Sequence, residues 1–413
     1  MTKAPTVYDV AAHAGVSIAT VSRVLRRPDD VRPETRSRVM ASVRELGYVP
    51  SGAARGLAGR RTGVLGLFLP GHDGLDEPEP DWSRAADPNL IPFIDDRDPI
   101  GWPSGRAGSH PAAPDARTSS DAPAEPTAPT ARHWANPSNL YFDEVLRGAE
   151  VEAWRRGFAL MVAAGRGSSR EVMVNDIAGR VDGLAVLAQT VPDDLLAHVS
   201  RRMPVVVLAD SRPGDDLDHV SVDNAAGMRA LTEFVLTEHG VRDILYVSGP
   251  ADSPDEADRH AGFDAAVAAV EATGSGAIRV RVEPGDFSRA SGRAVAERLA
   301  PRLLDDESAG RDRDGLRAIV CANDQTALGV LDVFAREGVD VPGRVLVTGF
   351  DGIDAGRFST PRLTTVRQPM AELGRVAVRS IVTRLTDSSL EPQRITLPVD
   401  VLLRESCPAV DRG

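Results

Sequence analysis

Thr6-Val7-Tyr8-Asp9-Val10-Ala11-Ala12-His13-Ala14-Gly15-Val16-Ser17-Ile18-Ala19-Thr20-Val21-Ser22-Arg23-Val24-Leu25 reads as helix, tight turn, helix. Val10, Ala11, Val16, Val21 and Val24 fall at helical spacing on both sides of Gly15. Gly15 stands where the backbone must turn, and a left-handed conformation costs glycine little. Ser17 follows as a natural N-cap, since its hydroxyl accepts from a free backbone N–H. A short second helix that opens with small and polar side chains suits entry into a DNA major groove.

Charge agrees with this reading. Residues 1–62 hold one Lys and ten Arg against five carboxylates, a net of +6 in a chain of net charge -12. A basic module on an acidic body attracts phosphates locally while the body resists nonspecific association. Val31 to Gly47 reads as a third helix, with Pro33 acceptable in its first turn and Val39, Val43 and Leu46 as its buried stripe. Arg32 stands where a Ser or Thr cap is usual. Residues 50–59 have helical composition, but Gly52 and Gly56 lie inside. Two glycines leave so short a helix unstable alone, so it is expected to fold on DNA.

With 413 residues the chain forms more than one core. No run of eighteen apolar residues suggests a membrane span, and no apolar segment after Lys3 suggests a signal peptide. Two cysteines, Cys321 and Cys407, do not make a disulfide framework, which favours a reducing cytoplasm. After the strand-like Gly63–Pro70, the character changes. Residues 71–137 carry 12 of the 30 prolines and twelve carboxylates against five Arg, with no persistent period. They read as a disordered or loosely packed insertion. The stretch still holds Trp82, Trp102, Trp134 and Leu90-Ile91-Pro92-Phe93-Ile94, which fit a lid or partner segment or a tolerated loop.

From Asn139 onward strands and helices alternate. Strands are expected at 159–163, 183–187, 205–208, 244–247, 278–282, 318–321 and 345–349, and helices at 140–156, 168–179, 224–238, 255–273, 288–304, 324–337 and 369–385. Continuous apolar strands between amphipathic helices predict an α/β body of two doubly wound parallel sheets. Ligands in such folds bind beyond the carboxyl ends of the strands. No dinucleotide fingerprint, P-loop, zinc-protease motif or nucleophile elbow appears, and the eight His are scattered. The reading is therefore a non-enzyme with no catalytic residues, no metal and no cofactor.

Polar groups instead recur at strand ends. Arg259 opens a helix after Gly249-Pro250 and fits either a bidentate ligand contact or a surface pair with Asp255. Asn323 fits either a ligand contact or a helix cap, and Asp351 either a ligand carboxylate or a turn residue. Phe287, Tyr141 and Phe142 fit either ring stacking or core packing. Asp210 follows the strand at 205–208, with Ala209 competing for the position.

The motifs Val7-Tyr8-Asp9-Val10-Ala11, Gly15 to Leu25, Tyr48-Val49-Pro50 and Leu57-Ala58-Gly59 resemble the LacI/GalR family of bacterial transcriptional regulators. The resemblance implies a helix-turn-helix domain at 1–49, a hinge helix at 50–62 and a two-lobed, periplasmic-binding-protein-like core at 63–413. In that division the first lobe takes 63–210 plus 370–395 and the second 211–369 plus 396–413. It implies that Tyr141, Phe142, Asp210, Arg259, Phe287, Asn323 and Asp351 surround an effector. In such a protein Leu57 wedges into the minor groove and kinks the duplex. The recognition helix presents Ile18, Ala19 and Thr20, with Ser17, Ser22 and Arg23 beside them. Ile18 and Ala19 suit thymine methyls, and Arg23 suits guanine or phosphate. Tyr8 and Arg55 fit backbone contacts. A homodimer on a pseudo-palindromic operator follows, with a tetramer as an alternative. Carboxylate, amide, guanidinium and aromatic face suit a sugar, and a nucleobase could use the same groups. The competing readings are a periplasmic-type sugar-binding protein and an α/β enzyme with an appended DNA-binding domain.

Overall fold

A computed structural model describes residues 6–26, 31–46, 61–70, 140–165, 170–210, 214–274, 276–308 and 315–410. The expected hinge helix with Arg55 and Leu57, and the insertion at 71–137, lie outside them.

Three helices form the N-terminal head: α1 (Val7–Ala14), α2 (Ile18–Arg26) and α3 (Pro33–Leu46). A reciprocal capping box starts α1, with Thr6 and Asp9 satisfying each other's backbone N–H. Gly15 ends it at φ 62°, and its N–H bonds back to the last turn. Ser17 Oγ then accepts from Thr20 N at 3.1 Å and caps α2. Val10, Ala11, Ala14, Val21, Val24 and Val39 make a core separate from those of the body. His13 Nδ1 meets Ser42 Oγ at 3.0 Å and ties α1 to α3.

Among the described residues the body has two six-stranded sheets. The first is built from β1 (Val64–Pro70), β2 (Ala159–Gly165), β3 (Gly183–Leu187), β4 (Val205–Leu208), β5 (Asp218–Val222) and β11 (Arg394–Leu397). Its order is β11-β5-β4-β3-β1-β2, all parallel. The second contains β6 (Asp243–Val247), β7 (Arg279–Glu283), β8 (Ala318–Cys321), β9 (Leu346–Asp351), β10 (Thr364–Arg367) and β12 (Asp400–Leu402). Its order is β12-β10-β9-β8-β6-β7, with only β12 antiparallel.

Helices cover both sheets as parallel topology demands. The first lobe carries α4 (Leu140–Arg155), α5 (Arg170–Ala178), α6 (Asp193–Ser200) and α12 (Met370–Thr386). The second carries α7 (Asn224–Glu238), α8 (Pro254–Ala272), α9 (Arg289–Ser308), α10 (Asp324–Glu337) and the short α11 (Ala355–Phe358). The helices and strands expected from Asn139 onward all appear, with ends shifted by a few residues.

Sheet membership moves the expected lobe boundary. Asp218–Val222 pairs with β4 in the first sheet, so the chain crosses after Val222 rather than at 210. It returns between β10 and α12, and crosses again between Leu397 and Asp400. The strands β5, β10, β11 and β12 escaped the sequence reading because each is only three to five residues long and mixes polar with apolar side chains.

Glycines let paired helices touch. A Cβ on Gly148 of α4 would lie 1.8 Å from the Ala371 carbonyl oxygen of α12, and one on Gly374 would lie 2.1 Å from that of Val145. Gly262 meets Ala225 the same way between α8 and α7, and Gly292 meets Thr326 between α9 and α10. Only a residue without a side chain permits backbones this close.

Candidate ligand cleft and nucleic-acid interface

The carboxyl ends of β8, β9 and β10, with the first turns of α7 and α8, build one polar cluster. Arg259 sits at its centre, only 3% exposed. Its Nε donates to Asn224 Oδ1 at 2.9 Å and its Nη1 to the Ala322 carbonyl at 2.7 Å. Nη2 lies 3.4 Å from Asp351 Oδ1 and 3.7 Å from Asp255 Oδ2. The guanidinium carbon stands 4.0 Å from the Phe350 ring centre and 5.5 Å from that of Phe287, within cation–π range. The pair with Asp255 does form, but inside the protein and as one of several contacts.

Burial sets the electrostatics. It opposes the Arg259 charge, yet Asp351 and then Asp255 outweigh it and hold the guanidinium above its ordinary value. Burial pushes the Asp351 carboxyl up to about 6, against the pull of Arg259 and of the Gln368 amide. Gln368 Nε2 donates to Asp351 Oδ1 at 2.7 Å. Asp255 is also raised by burial, with Arg259 and Asn224 opposing. Asn224 Nδ2 donates to Asp255 Oδ1 at 2.8 Å.

Neighbouring groups hold this arrangement. Asn323 Oδ1 caps α10 through Thr326 N at 3.0 Å, and its Nδ2 donates to the Phe287 carbonyl at 2.9 Å. The capping alternative is thus realised, and the same amide also fixes the aromatic. Phe287 has φ 64° and lies over Gly249, where a Cβ would be 2.2 Å from the ring. Asp324 is fully buried and accepts from Gly352 N at 2.8 Å, Ile353 N at 2.9 Å and Thr365 Oγ1 at 2.5 Å. It pins the chain that leaves Asp351, and burial followed by Asp351 raises its carboxyl well above the usual range.

The first lobe closes on this cluster. The phenol of Tyr141, on the first turn of α4, is held far above its usual range by burial, then by the charges of Asp255 and Asp351, with Arg259 opposing. Phe142 packs edge-on to Tyr141 at 5.4 Å and also joins the first-lobe core. Asp210 is 4% exposed and its charge acts on Asp255 across the cleft. Ala209, immediately before it, takes the left-handed φ of 57°. Gln189, at φ 61° after β3, donates its side-chain amide to the Asp252 carbonyl of the second lobe. The structure thus brings Tyr141, Asp210, Arg259, Phe287, Asn323 and Asp351 to one interlobe site, with Phe142 one step behind.

In the head, Tyr8 is 68% and Ile18 41% exposed. Ser17, Ala19 and Arg23 are also exposed, and Thr20 and Ser22 half-buried. Thr20 is partly committed, because its hydroxyl meets Ser17 Oγ at 2.9 Å. Ile18 is thus an apolar side chain left open at the start of α2.

Residues 6–51 match the family model for bacterial regulatory proteins of the lacI family, and residues 235–407 match a periplasmic binding protein-like domain. The chain is 29% identical to the HTH-type transcriptional regulator CelR of Thermobifida fusca, over 97% of this chain and 98% of the relative. The chain belongs to the LacI family. It is 28% identical to the transcriptional repressor PurR of Erwinia tasmaniensis, over 97% of this chain and 96% of that one. A solved CelR–cellobiose complex superposes with a TM-score of 0.59 at 27% identity, covering 97% of this chain and 99% of that chain. The lac repressor dimer bound to operator shares the fold, with a TM-score of 0.67 at 22% identity over 98% and 100% of the two chains. As a LacI-family protein the chain is a DNA-binding transcriptional regulator under effector control, and these relatives are regulators rather than enzymes.

Four cleft residues were missed in the sequence: Asn224, Asp255 as a buried partner, Phe350 and Gln368. Asn224 and Gln368 follow β5 and β10, the short strands whose periodicity was too brief to read. The one available signal was a pair of polar residues just after a lone valine, in Val222-Asp223-Asn224 and Val366-Arg367-Gln368.

Proposed function

We propose that this regulator is a homodimeric repressor whose operator affinity is set by a sugar or sugar derivative bound between the lobes. One observation carries the effector reading: a buried guanidinium fork is held between two carboxylates and two aromatic rings at the strand ends. That combination offers donors and acceptors to hydroxyl pairs and an apolar face to a pyranose ring. The reading assigns Arg259, Asp351, Asp210 and Asn323 to hydroxyl recognition, and Phe287, Tyr141 and Phe142 to the ring. CelR, whose solved complex holds cellobiose, supports a sugar. In the head, Ile18, Ala19, Thr20 and Arg23 read bases, Ser17 and Ser22 flank them, and Tyr8 and Arg55 hold the backbone. Leu57 wedges at the operator centre, and two heads meet two half-sites. The dimer of the lac repressor on its operator supports the two-fold arrangement.

Binding between lobes changes their relative angle and so biases which head spacing the dimer holds. A thermal-shift panel of mono- and disaccharides, amino sugars and nucleobases tests the effector class. A sugar is expected to raise the melting temperature of the wild-type chain and to raise that of Arg259→Ala less at the same concentration. Stabilisation by nucleobases alone would move the assignment away from sugars.

A further inference from the structure

We propose that Asp182 is the positioning residue that fixes how the DNA-reading segment leaves the lobes. The inference rests on reading residues 6–46 as the DNA-binding head and the Arg259 cluster as the effector cleft. Asp182 immediately precedes β3 and accepts two successive backbone N–H groups of the segment entering β1. Thr62 N donates to Oδ1 at 2.6 Å and Gly63 N to Oδ2 at 2.7 Å. Its own N–H bonds the Val64 carbonyl at 2.7 Å, so both sides of the contact are tied to the centre of the sheet. Charge-assisted bonds of this kind hold direction as well as distance. A head tethered without them samples many orientations, and only a few present two recognition helices to two half-sites.

A contiguous chain of packed groups joins this clamp to the cleft. Gln368 holds Asp351 and is followed by Pro369, which begins α12. Ile381, near the other end of α12, lies against Gly183, where a Cβ would be 2.3 Å from its Cγ2. Gly183 is the residue next to Asp182. One turn on, the Leu385 carbonyl accepts from the Arg61 guanidinium. A helix that follows the cleft at one end therefore contacts the clamp and the departing segment at the other.

The experiment uses the full chain and a duplex enriched from random-sequence DNA by binding to the wild type, with an unselected duplex as control. Asp182→Asn removes the charge, and Asp182→Glu keeps it. Asp182→Asn is expected to weaken the enriched duplex at least tenfold while changing the unselected duplex less than twofold at low salt. Asp182→Glu is expected to recover to within threefold of wild type. Enriched-duplex affinity within twofold of wild type for Asp182→Asn would overturn the proposal. So would equal losses on both duplexes, which mark damage to the head. Should Asp182→Asn not fold, hydrogen exchange on the wild type decides. Thr62 and Gly63 amides protected at least tenfold support the clamp, and unprotected exchange overturns it. Failure of the wild type to enrich any duplex would instead end the DNA-reading assignment itself.

Discussion

Arg259 and Asp351 show how single residues set the behaviour of the cleft. Removing the Arg259 side chain leaves Asp255 and Asp351 buried without their cation, so the site's own balance is lost together with the ligand contacts we propose for it. Arg259→Ala is expected to reduce effector affinity by about 10- to 100-fold, the scale of one or two charged hydrogen bonds, as isothermal titration calorimetry would show. Arg259→Lys keeps the charge but not the fork and should fall between. Asp351 makes a pH prediction. Its folded pKa, raised to about 6 by burial, exceeds the ordinary value of 3.8. The folded state therefore binds more protons than the unfolded one between those values. Its contribution to stability rises as pH falls through 6 and levels off below about 4. Denaturant melts at pH 7 and pH 5 should show a smaller pH dependence in Asp351→Asn than in wild type. The residue types and their place at strand ends were legible in the sequence. The burial that raises Asp351, and the Gln368 amide that orients it, were not, because both depend on strands too short to leave a pattern.

At the level of elements, helix pairing is decided by glycine. The Gly148 and Gly374 contacts let α4 and α12 approach to backbone distance, and α12 in turn borders the Asp182 clamp. Gly148→Ala places a Cβ against the Ala371 carbonyl, which is backbone and cannot rotate away. We expect a loss of about 3 kcal/mol and a fall in melting temperature of roughly 6–12 °C, measured by scanning calorimetry. Gly15→Ala tests a different cause. Nothing crowds a Cβ there, but φ 62° strains any residue with one, so a cost of about 1 kcal/mol confined to the head is expected. The amphipathic helices and long apolar strands were readable because their periods repeat several times. Which helices touch was not, since a glycine facing a neighbour looks in sequence like any other glycine.

At the scale of the molecule, the head and the lobes keep separate cores among the described residues, with no residue of the head cluster in those of the body. Removal of residues 1–62 is therefore expected to leave ligand-induced thermal shifts intact and to abolish retardation of operator DNA in gels. Retained DNA retardation by the truncated body would contradict the assignment of DNA reading to the head. The sequence by itself determined the helix-turn-helix head, the charge split between head and body, and the alternation that gives two parallel sheets. Those features are local, written in turn chemistry and in periods of 3.6 or continuous apolar runs. Only the tertiary structure decided that the chain crosses between lobes after Val222, that Asn224, Asp255 and Gln368 complete the cleft, and that Asp182 grips the segment leading to the head. Each of these joins residues distant in the chain, where no local preference records the partner and only the packing of the sheets brings donor and acceptor within reach.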